Sequence, residues 1–513
     1  MSLVLLGRCV TMRDDRAPID DGAVYVGDDG RIEAVTTASA SPPSGYDSTP
    51  RVRTGGVIYP GLIDLHSHLA YNTLSLWTPP GQAPFRTDPF DTRYQWSGIE
   101  GYARDIGLPA HALGAAAGKE LLKYAEMRAL AGGVTAIQGS PTTNRPYEGS
   151  LVRNVEYETF GTKVRTVFQS VLPLEPDGLA PYRQHMIDGD AFLYHLAEGR
   201  SDSAKLHGEF DEMRDAKCLR PQFVGIHCTA LSPAEFTTWS AAGAGSVVWS
   251  PLSNLCLYGQ TTDIAGAHEA GLRLCIGADW GPSGSKSVLG ELKVADLHVR
   301  EHLHAANVFT RHRLVQMVTS NPADALGWSD KVGRIAPGLY ADLMVTAEVD
   351  ADAYDNLVLA SERDVRLVLV GGSAVYGLPS LMKAALPPAS AGAAPDRETI
   401  RVGGLERVVS MIVPGLKDAD VTWAQVLARL AAVRKDPEQE VRSAFAFGEE
   451  PLQVIPDMPW DRELPMAVLA TAAPEVVIPP LDPLTHGPSF FDALERAPIV
   501  NGALNGLRAY YTR

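Results

Sequence analysis

The sequence predicts an α/β protein, a (β/α)8 TIM-type barrel carried by a small β-sandwich domain and followed by a C-terminal extension. Three observations lead there. Short apolar runs alternate with helical patterns from about residue 59 to about 330, a length that suits such a barrel. β-type runs with no helix between them stand before and after that stretch. Polar residues able to hold a metal close several of the apolar runs in turn.

Taken in order, residues 1–58 carry Leu3-Val4-Leu5-Leu6, Ala23-Val24-Tyr25-Val26 and Ile32-Glu33-Ala34-Val35, with the hairpin signal Asp28-Asp29-Gly30 between the last two. A matching set, Gly338 to Val345 and Val365 to Gly372, lies in residues 331–378. The two segments are expected to pack as one composite domain. Between them, residues 59–330 offer strands at Val57 to Leu65, Val134 to Gln138, Val164 to Val171, Ala191 to His195, Phe223 to His227, Ser246 to Ser250 and Leu272 to Ala278. Helical patterns include Ala115 to Ala131 and Glu291 to Ala305. Tyr71 to Pro109 has five prolines and several aromatics and reads as a long wall or lid loop, with Trp77 a candidate substrate contact. Residues 379–513 form the extension: a linker at Ala385 to Asp396, a helix near Val421 to Val433, a proline-rich run from Pro451 to Pro483 and a last helix from Phe490 to Tyr511. No chemical motif was found there.

The chain has 513 residues, ordinary hydrophobic content at 45%, and a net charge of -16 spread along its length. That balance speaks against nucleic acid or an anionic membrane as partner and leaves a small molecule. Five cysteines without a C-x-x-C suggest no disulfide framework. No apolar run approaches the ~20 residues of a membrane helix. The opening M-S-L-V-L-L-G-R-C-V does not read as a signal peptide, so a cytoplasmic location is expected.

The chemistry starts at Val57 to Leu69, where an apolar run ends in His66-Ser67-His68. Residues two apart on a strand point to one side, so both imidazoles can grip one ion. His195 ends the next such run, with Glu198 three residues on; His227 ends another; Ser250-Pro251-Leu252-Ser253-Asn254 and Asp279 follow two more. In a barrel those strand ends converge on one face. Two rival signals carry less, and a third pattern is absent. His298, His302 and His304 read as a solvated helix face, Gly284-Ser285-Lys286-Ser287 fails the phosphate-loop pattern, and no G-x-S-x-G nucleophile elbow occurs.

H-S-H, H-L-A-E, G-I-H-C, S-P-L-S-N and G-A-D, in that order inside a split β domain, resemble the amidohydrolase superfamily over about residues 1–378. The pattern is similar to the branch of cytosine, guanine and adenosine-derivative deaminases and triazine hydrolases. The resemblance implies one divalent metal, zinc before iron, held by His66, His68, His195 and Asp279, with an activated water as nucleophile. It implies Asp279 as proton acceptor, Glu198 as proton donor or substrate orienter, His227 as polariser of the attacked centre, and Asn254 in the pocket. The two-metal branch needs a lysine at the end of the fourth strand; V-R-T-V-F-Q-S-V has none there, and Lys163 precedes it. Trp280 follows Asp279 where many deaminases of this branch carry a small hydroxyl residue, which is closer to imidazolonepropionase-like members and makes Trp280 a second candidate substrate contact. The expected reaction is deamination of an amino-heterocycle. Hydrolysis of a cyclic or linear amide is the alternative, and an inactive scaffold, which would be expected to have lost ligands, the third. By analogy with other such barrels the chain is a candidate homodimer.

Overall fold

A computed structural model of the chain describes residues 2–139, 149–157, 160, 166–168, 173–385, 397–416, 420–446 and 476–512. The linker and most of the proline-rich run lie outside them, as do Lys163 and the end of the run Val164 to Val171. Seventeen strands are described: β1 Leu3–Cys9, β2 Ile19–Val26, β3 Ile32–Thr37, β4 Arg51–Pro60, β5 Leu62–Asp64, β6 Val134–Ile137, β7 Arg153–Asn154, β8 Thr166–Phe168, β9 Phe192–Leu196, β10 Phe223–His227, β11 Ser246–Trp249, β12 Arg273–Ile276, β13 Leu343–Thr346, β14 Val365–Val370, β15 Ser373–Gly377, β16 Arg397–Val402 and β17 Leu405–Ser410.

The fold is mixed α/β. β5 to β12 are eight parallel strands in chain order, in one sheet of three (β5-β6-β7) and one of five (β12-β11-β10-β9-β8). Inward side chains meet in one core: Ile63 of β5, Ala136 of β6, Leu193 of β9, Ile226 of β10, Val248 of β11 and Cys275 of β12. The two sheets touch where β5 and β12 end, with Asp279 N donating to His66 O at 2.9 Å. Among the described residues no ladder joins β7 to β8, so the barrel expectation is met as eight strands in order and not as a closed cylinder. β7 pairs with β6 and β8 with β9, and residues 158–159 and 161–165, which join β7 to β8, lie outside the described residues.

The flanking segments share one nine-stranded sheet in the order β16-β17-β15-β14-β13-β4-β1-β2-β3, where the sequence suggested a sandwich. β4 is its keystone, parallel to β1 and antiparallel to β13 with Ile58 opposite Val345. The single apolar run Val57 to Leu65 is therefore divided between two sheets. It breaks at Pro60, which has no N–H to continue a ladder, and Gly61 N turns to Asp342 O instead.

The extension completes this sheet and covers the barrel's outer helix. The hairpin β16–β17 turns at Gly403-Gly404 and pairs with β15. Helix Trp423–Lys435 starts with a Thr422/Gln425 capping box and buries Trp423, Val426, Leu430 and Val433, one stripe at helical spacing. That stripe meets helix Leu108–Ala131: the Trp423 ring stacks on Tyr124 at 5.9 Å, and Arg429 Nε donates to Ala116 O at 2.7 Å. The last segment is not one helix. Helix Pro488–Glu495 ends, and short 3-10 turns at Pro498–Val500 and Leu507–Tyr510 follow, because Pro498 and the left-handed Asn501, Gly502 and Gly506 interrupt it. On helix Val288–Glu301, His298 is only partly exposed and packs its ring against Trp249 at 5.7 Å, so that face is not simply solvated.

A buried ion pair ties the parallel strands to the nine-stranded sheet. Arg153 of β7 reaches Asp342, just before β13, with Nε–Oδ2 at 2.8 Å and Nη2–Oδ1 at 3.0 Å, and Asp342 also accepts Gly371 N at 2.8 Å. Asp342→Ala removes both carboxylate contacts from the buried guanidinium and should lower stability by about 3–5 kcal/mol in chemical denaturation; a loss under about 1 kcal/mol would show that the pair does not hold the two sheets together.

Candidate metal centre

The residues singled out at the strand ends come together on one face. His66 and His68 follow β5, His195 lies in β9, His227 ends β10 and Asp279 follows β12. Their rings pack edge to face: His66 stands 4.9 Å from His68, 4.8 Å from His195 and 4.9 Å from His227, centroid to centroid. Asp279 Oδ1 lies 3.0 Å from His66 Nε2 and 3.6 Å from His68 Nε2, and Oδ2 lies 3.8 Å from His227 Nε2. Glu198 completes the group, with Oε2 at 3.6 Å from His227 Nε2.

The backbone works to present these side chains. Ala197 (φ 50°), His227 (66°), Cys228 (54°) and Asp279 (65°) are all left-handed, a conformation that costs roughly 1–2 kcal/mol per non-glycine residue. Each turns the chain sharply off its strand into the site. Two glycines permit the close approach of neighbouring strands: a Cβ on Gly277 would lie 2.6 Å from His66 Cβ, and one on Gly139 would lie 1.9 Å from Ser67 O. Asp64 fastens the arrangement from below, Oδ1 accepting His66 N at 3.3 Å and Ala278 N at 3.1 Å. Burial pushes the Asp64 carboxyl up to about 7, against the pull of those two N–H groups.

Electrostatics keep most of the imidazoles neutral, and so available as lone-pair donors. Burial, with the neighbouring His66, His227 and His68, holds His195 well below its usual value. Burial and His66 take His68 down to about 3, and burial takes His227 to about 3 although Asp279 pulls the other way. His66 is raised: burial opposes its charged form, but Asp279, Glu198 and Asp64 outweigh it. Asp279 is held well below the usual carboxylate range by His66 and His227, in spite of burial. Burial and Asp279 lift Glu198 to about 7.

Hydrogen bonds set the direction of each ring. Gln138 Oε1 lies 3.2 Å from His66 Nδ1, and Gln138 Nε2 donates to Glu156 at 2.9 Å, so the amide oxygen takes Nδ1–H and turns Nε2 to the cluster. His227 is oriented the opposite way. Trp249 Nε1 donates to Thr261 Oγ1 at 2.6 Å, Thr261 Oγ1 faces Asn254 Oδ1 at 3.3 Å, and Asn254 Nδ2 faces His227 Nδ1 at 3.0 Å. The Thr261 hydroxyl donates to the Asn254 oxygen, and the Asn254 amide nitrogen can only donate, so His227 Nδ1 accepts from it. Neutral His227 therefore carries its proton on Nε2, toward the carboxylates.

The donor set fits a divalent ion. Ligand atoms of His66, His68 and His195 lie within 4.8 Å of one another, and neither ring nitrogen of His195 has a hydrogen-bond partner among the described residues. Two ligands each about 2.1 Å from one ion sit roughly 3–3.5 Å apart, close to the His66–Asp279 and His68–Asp279 separations. Three imidazoles and a carboxylate are donors suited to zinc.

The chamber is bounded by His68, Trp96, His195, Glu198, His227, Ser253, Leu257, Asp279 and Trp280. It leaves about 10 Å³ for the centre of a water, room for roughly one. Asn254 stands behind His227, and Trp77 packs behind Trp280 at 6.3 Å, so neither lines the chamber. Trp96, from the same loop as Trp77, does, lying against Trp280 at 4.9 Å. Tyr258 was missed: it stands four residues after Asn254 in helix Pro251–Tyr258, and helical spacing puts both on the side facing the site.

Fold and site define a class of protein: an α/β enzyme that gathers imidazoles and carboxylates at the carboxyl ends of parallel strands. The chain belongs to the amidohydrolase family, whose model matches residues 57–375. It is 26% identical over 355 residues to a 5-methylthioadenosine/S-adenosylhomocysteine deaminase of Teredinibacter turnerae, covering 63% of this chain and 78% of that one. It is 25% identical over 370 residues to an imidazolonepropionase of Polaromonas sp., covering 63% and 82%. In structure it is similar to an adenosine deaminase from Xanthomonas campestris with bound zinc, TM-score 0.60 at 17% identity, covering 86% of this chain and 98% of that one.

Trp280 is 4% exposed and touches Tyr71, Trp77, Trp96 and Tyr102. Trp280→Ala should cost about 3–5 kcal/mol in urea unfolding, as other buried Trp truncations do; a loss below about 1 kcal/mol would mean that the aromatic cluster adds little to the stability of the loop.

Proposed function

We propose that the chain is a divalent-metal hydrolase that removes ammonia from a small amino-heterocycle. The observation that carries this is the gathering of ligand atoms at the strand ends: those of His66, His68 and His195 lie within 4.8 Å of one another, Asp279 Oδ1 lies 3.0 and 3.6 Å from His66 and His68, and Glu198 and His227 stand beside them. The deaminase relative and the zinc in the Xanthomonas structure support it. His66, His68, His195 and Asp279 would hold the ion, zinc first and iron second, and a bound ion supplies Lewis acidity that makes water nucleophilic near neutral pH. The catalytic unit in this reading is residues 59–330, which contain every group named.

Asp279 takes the proton of the attacking water through Oδ2, the oxygen nearer His227. His227, donating from Nε2, stabilises the negative charge that develops at the attacked centre. Glu198, lifted to about 7, can carry a proton at neutral pH and pass it to a ring nitrogen or to the departing amine. Trp96, Leu257 and Trp280 exclude water from the chamber and offer flat apolar faces to a ring. Admitting a heterocycle requires one of these side chains to shift, because the chamber has room for only about one water.

A second reading, hydrolysis of a cyclic amide, is favoured by the imidazolonepropionase relative and by Trp280 directly after Asp279. An ammonia assay against aminopurines, aminopyrimidines, triazines and cyclic amides separates the two. Deamination releases one ammonia per turnover; ring opening without ammonia would sink it. His195→Ala and Asp279→Ala should each lose at least about 10³-fold in activity together with the bound transition metal. Near-normal turnover by either variant would refute the ligand assignment, and wild-type protein with only trace metal would return the chain to the scaffold reading.

A further inference from the structure

Glu198 has two unlike oxygens. Oε1 accepts from Tyr258 Oη at 2.6 Å, and Tyr258 Oη in turn faces Trp96 Nε1 at 3.3 Å. All three residues are buried: Tyr258 is 0% exposed, Trp96 and Glu198 3%. The direction of this chain is settled by chemistry. The indole can only donate to the Tyr258 oxygen, and the Tyr258 hydroxyl in turn donates its proton to Glu198 Oε1. Oε1 is thereby an acceptor. Oε2, 3.6 Å from His227 Nε2, has no hydrogen bond among the described residues and belongs to the side of Glu198 that faces the chamber.

The segment that carries Trp96 also grips the Glu198 backbone. Arg93 N donates to Glu198 O at 3.1 Å, and Arg200 N donates to Asp91 O at 2.8 Å. The Arg93 guanidinium pairs with Glu209 Oε2 at 2.8 Å, and the same oxygen accepts Ala197 N at 3.0 Å. Residues 91–96 of the long loop thus hold Glu198 by its main chain and, through Tyr258, by its carboxyl.

We propose that Tyr258 is the positioning residue for Glu198, that Trp96 acts through it, and that together they leave Oε2 as the oxygen that exchanges a proton with substrate. This rests on the proposed role of Glu198 in turnover. It reaches beyond that role by assigning the working atom and by making residues 91–96 part of the acid's support and not only a wall.

Two measurements on the intact protein test it. In crystal structures, Tyr258→Phe should free the Glu198 carboxyl to rotate while the backbone of residues 91–96 and 198–200 keeps its place; this arm needs no substrate. An unchanged carboxyl in that variant overturns the proposal. In kinetics with 5-methylthioadenosine or the best substrate of the ammonia screen, Tyr258→Phe should lower kcat about tenfold to a hundredfold with KM within about twofold, as expected for a catalytic group misplaced by ~1 Å. Trp96→Phe, which keeps a ring and loses the N–H, should show the same split at smaller size. The double variant should be no slower than Tyr258→Phe alone, whereas additive losses would break the chain from Trp96 to Glu198. Glu198→Gln separates the two levels. If it turns over normally, the proposed role of Glu198 fails; if it is inactive while Tyr258→Phe keeps full kcat, only the positioning proposal fails.

Discussion

One carboxylate beneath the site holds its two halves together. Asp64 Oδ1 accepts the N–H of His66 and of Ala278, and so joins the end of β5 to the end of β12. The first strand supplies His66 and His68, the last supplies Asp279. Beside that latch, the two hydrogen-bonded sheets meet at the Ser67–Asp279 bridge, with its Asp279 N to His66 O bond, and in the contacts packed around it. The cost is a buried carboxyl whose two backbone donors and nearby His66 do not offset its loss of water, so burial carries its pKa up to about 7. The left-handed turns at His227 and Asp279 fit the same picture: the site is assembled by backbone strain that the surrounding packing must hold in place.

Much of the centre was legible because its signals are local. His66-Ser67-His68 shows its spacing within three residues, and His195, His227 and Asp279 each close an apolar run. The supporting side chains were not legible, because they arrive from distant segments. Trp96 reaches Tyr258 across 162 positions, and Tyr258 reaches Glu198 across 60. Composition does not separate Trp77, the candidate substrate contact, from Trp96, which lines the chamber; both are aromatic and both are in the same proline-rich loop. The division of Val57 to Leu65 into β4 and β5 was hidden because hydrophobicity is continuous across it, with Pro60-Gly61 the sole mark. The hairpin β16–β17 did leave a sign, alternating residues about Gly403-Gly404, outweighed by the apparent linker before it.

Among the described residues, two polar chains start at a tryptophan and end at a side chain that lines the chamber. Trp249 sets Thr261, Asn254 and His227; Trp96 sets Tyr258 and Glu198. A hydroxyl or an amide alone can be reversed by rotation, whereas an indole cannot accept, so the order of donors is decided at the far end. In a chamber of low dielectric such a fixed order avoids the cost of reorienting dipoles during reaction. His227 emerges as a donor and Glu198 Oε1 as an acceptor, though their neighbours alone would permit either.

The place of β4 has a consequence for the birth of the molecule. Its partner β13, with Tyr59 opposite Met344, leaves the ribosome about 285 residues later. At ~5–20 residues per second that edge waits roughly 15–60 s for its neighbour. Throughout that time Val57, Ile58 and Tyr59, each wholly buried in the finished sheet, lie along an open apolar strand. The nascent chain thus has to complete its parallel strands while the sheet beside them is still half made, a long-range closure of the kind that slows folding.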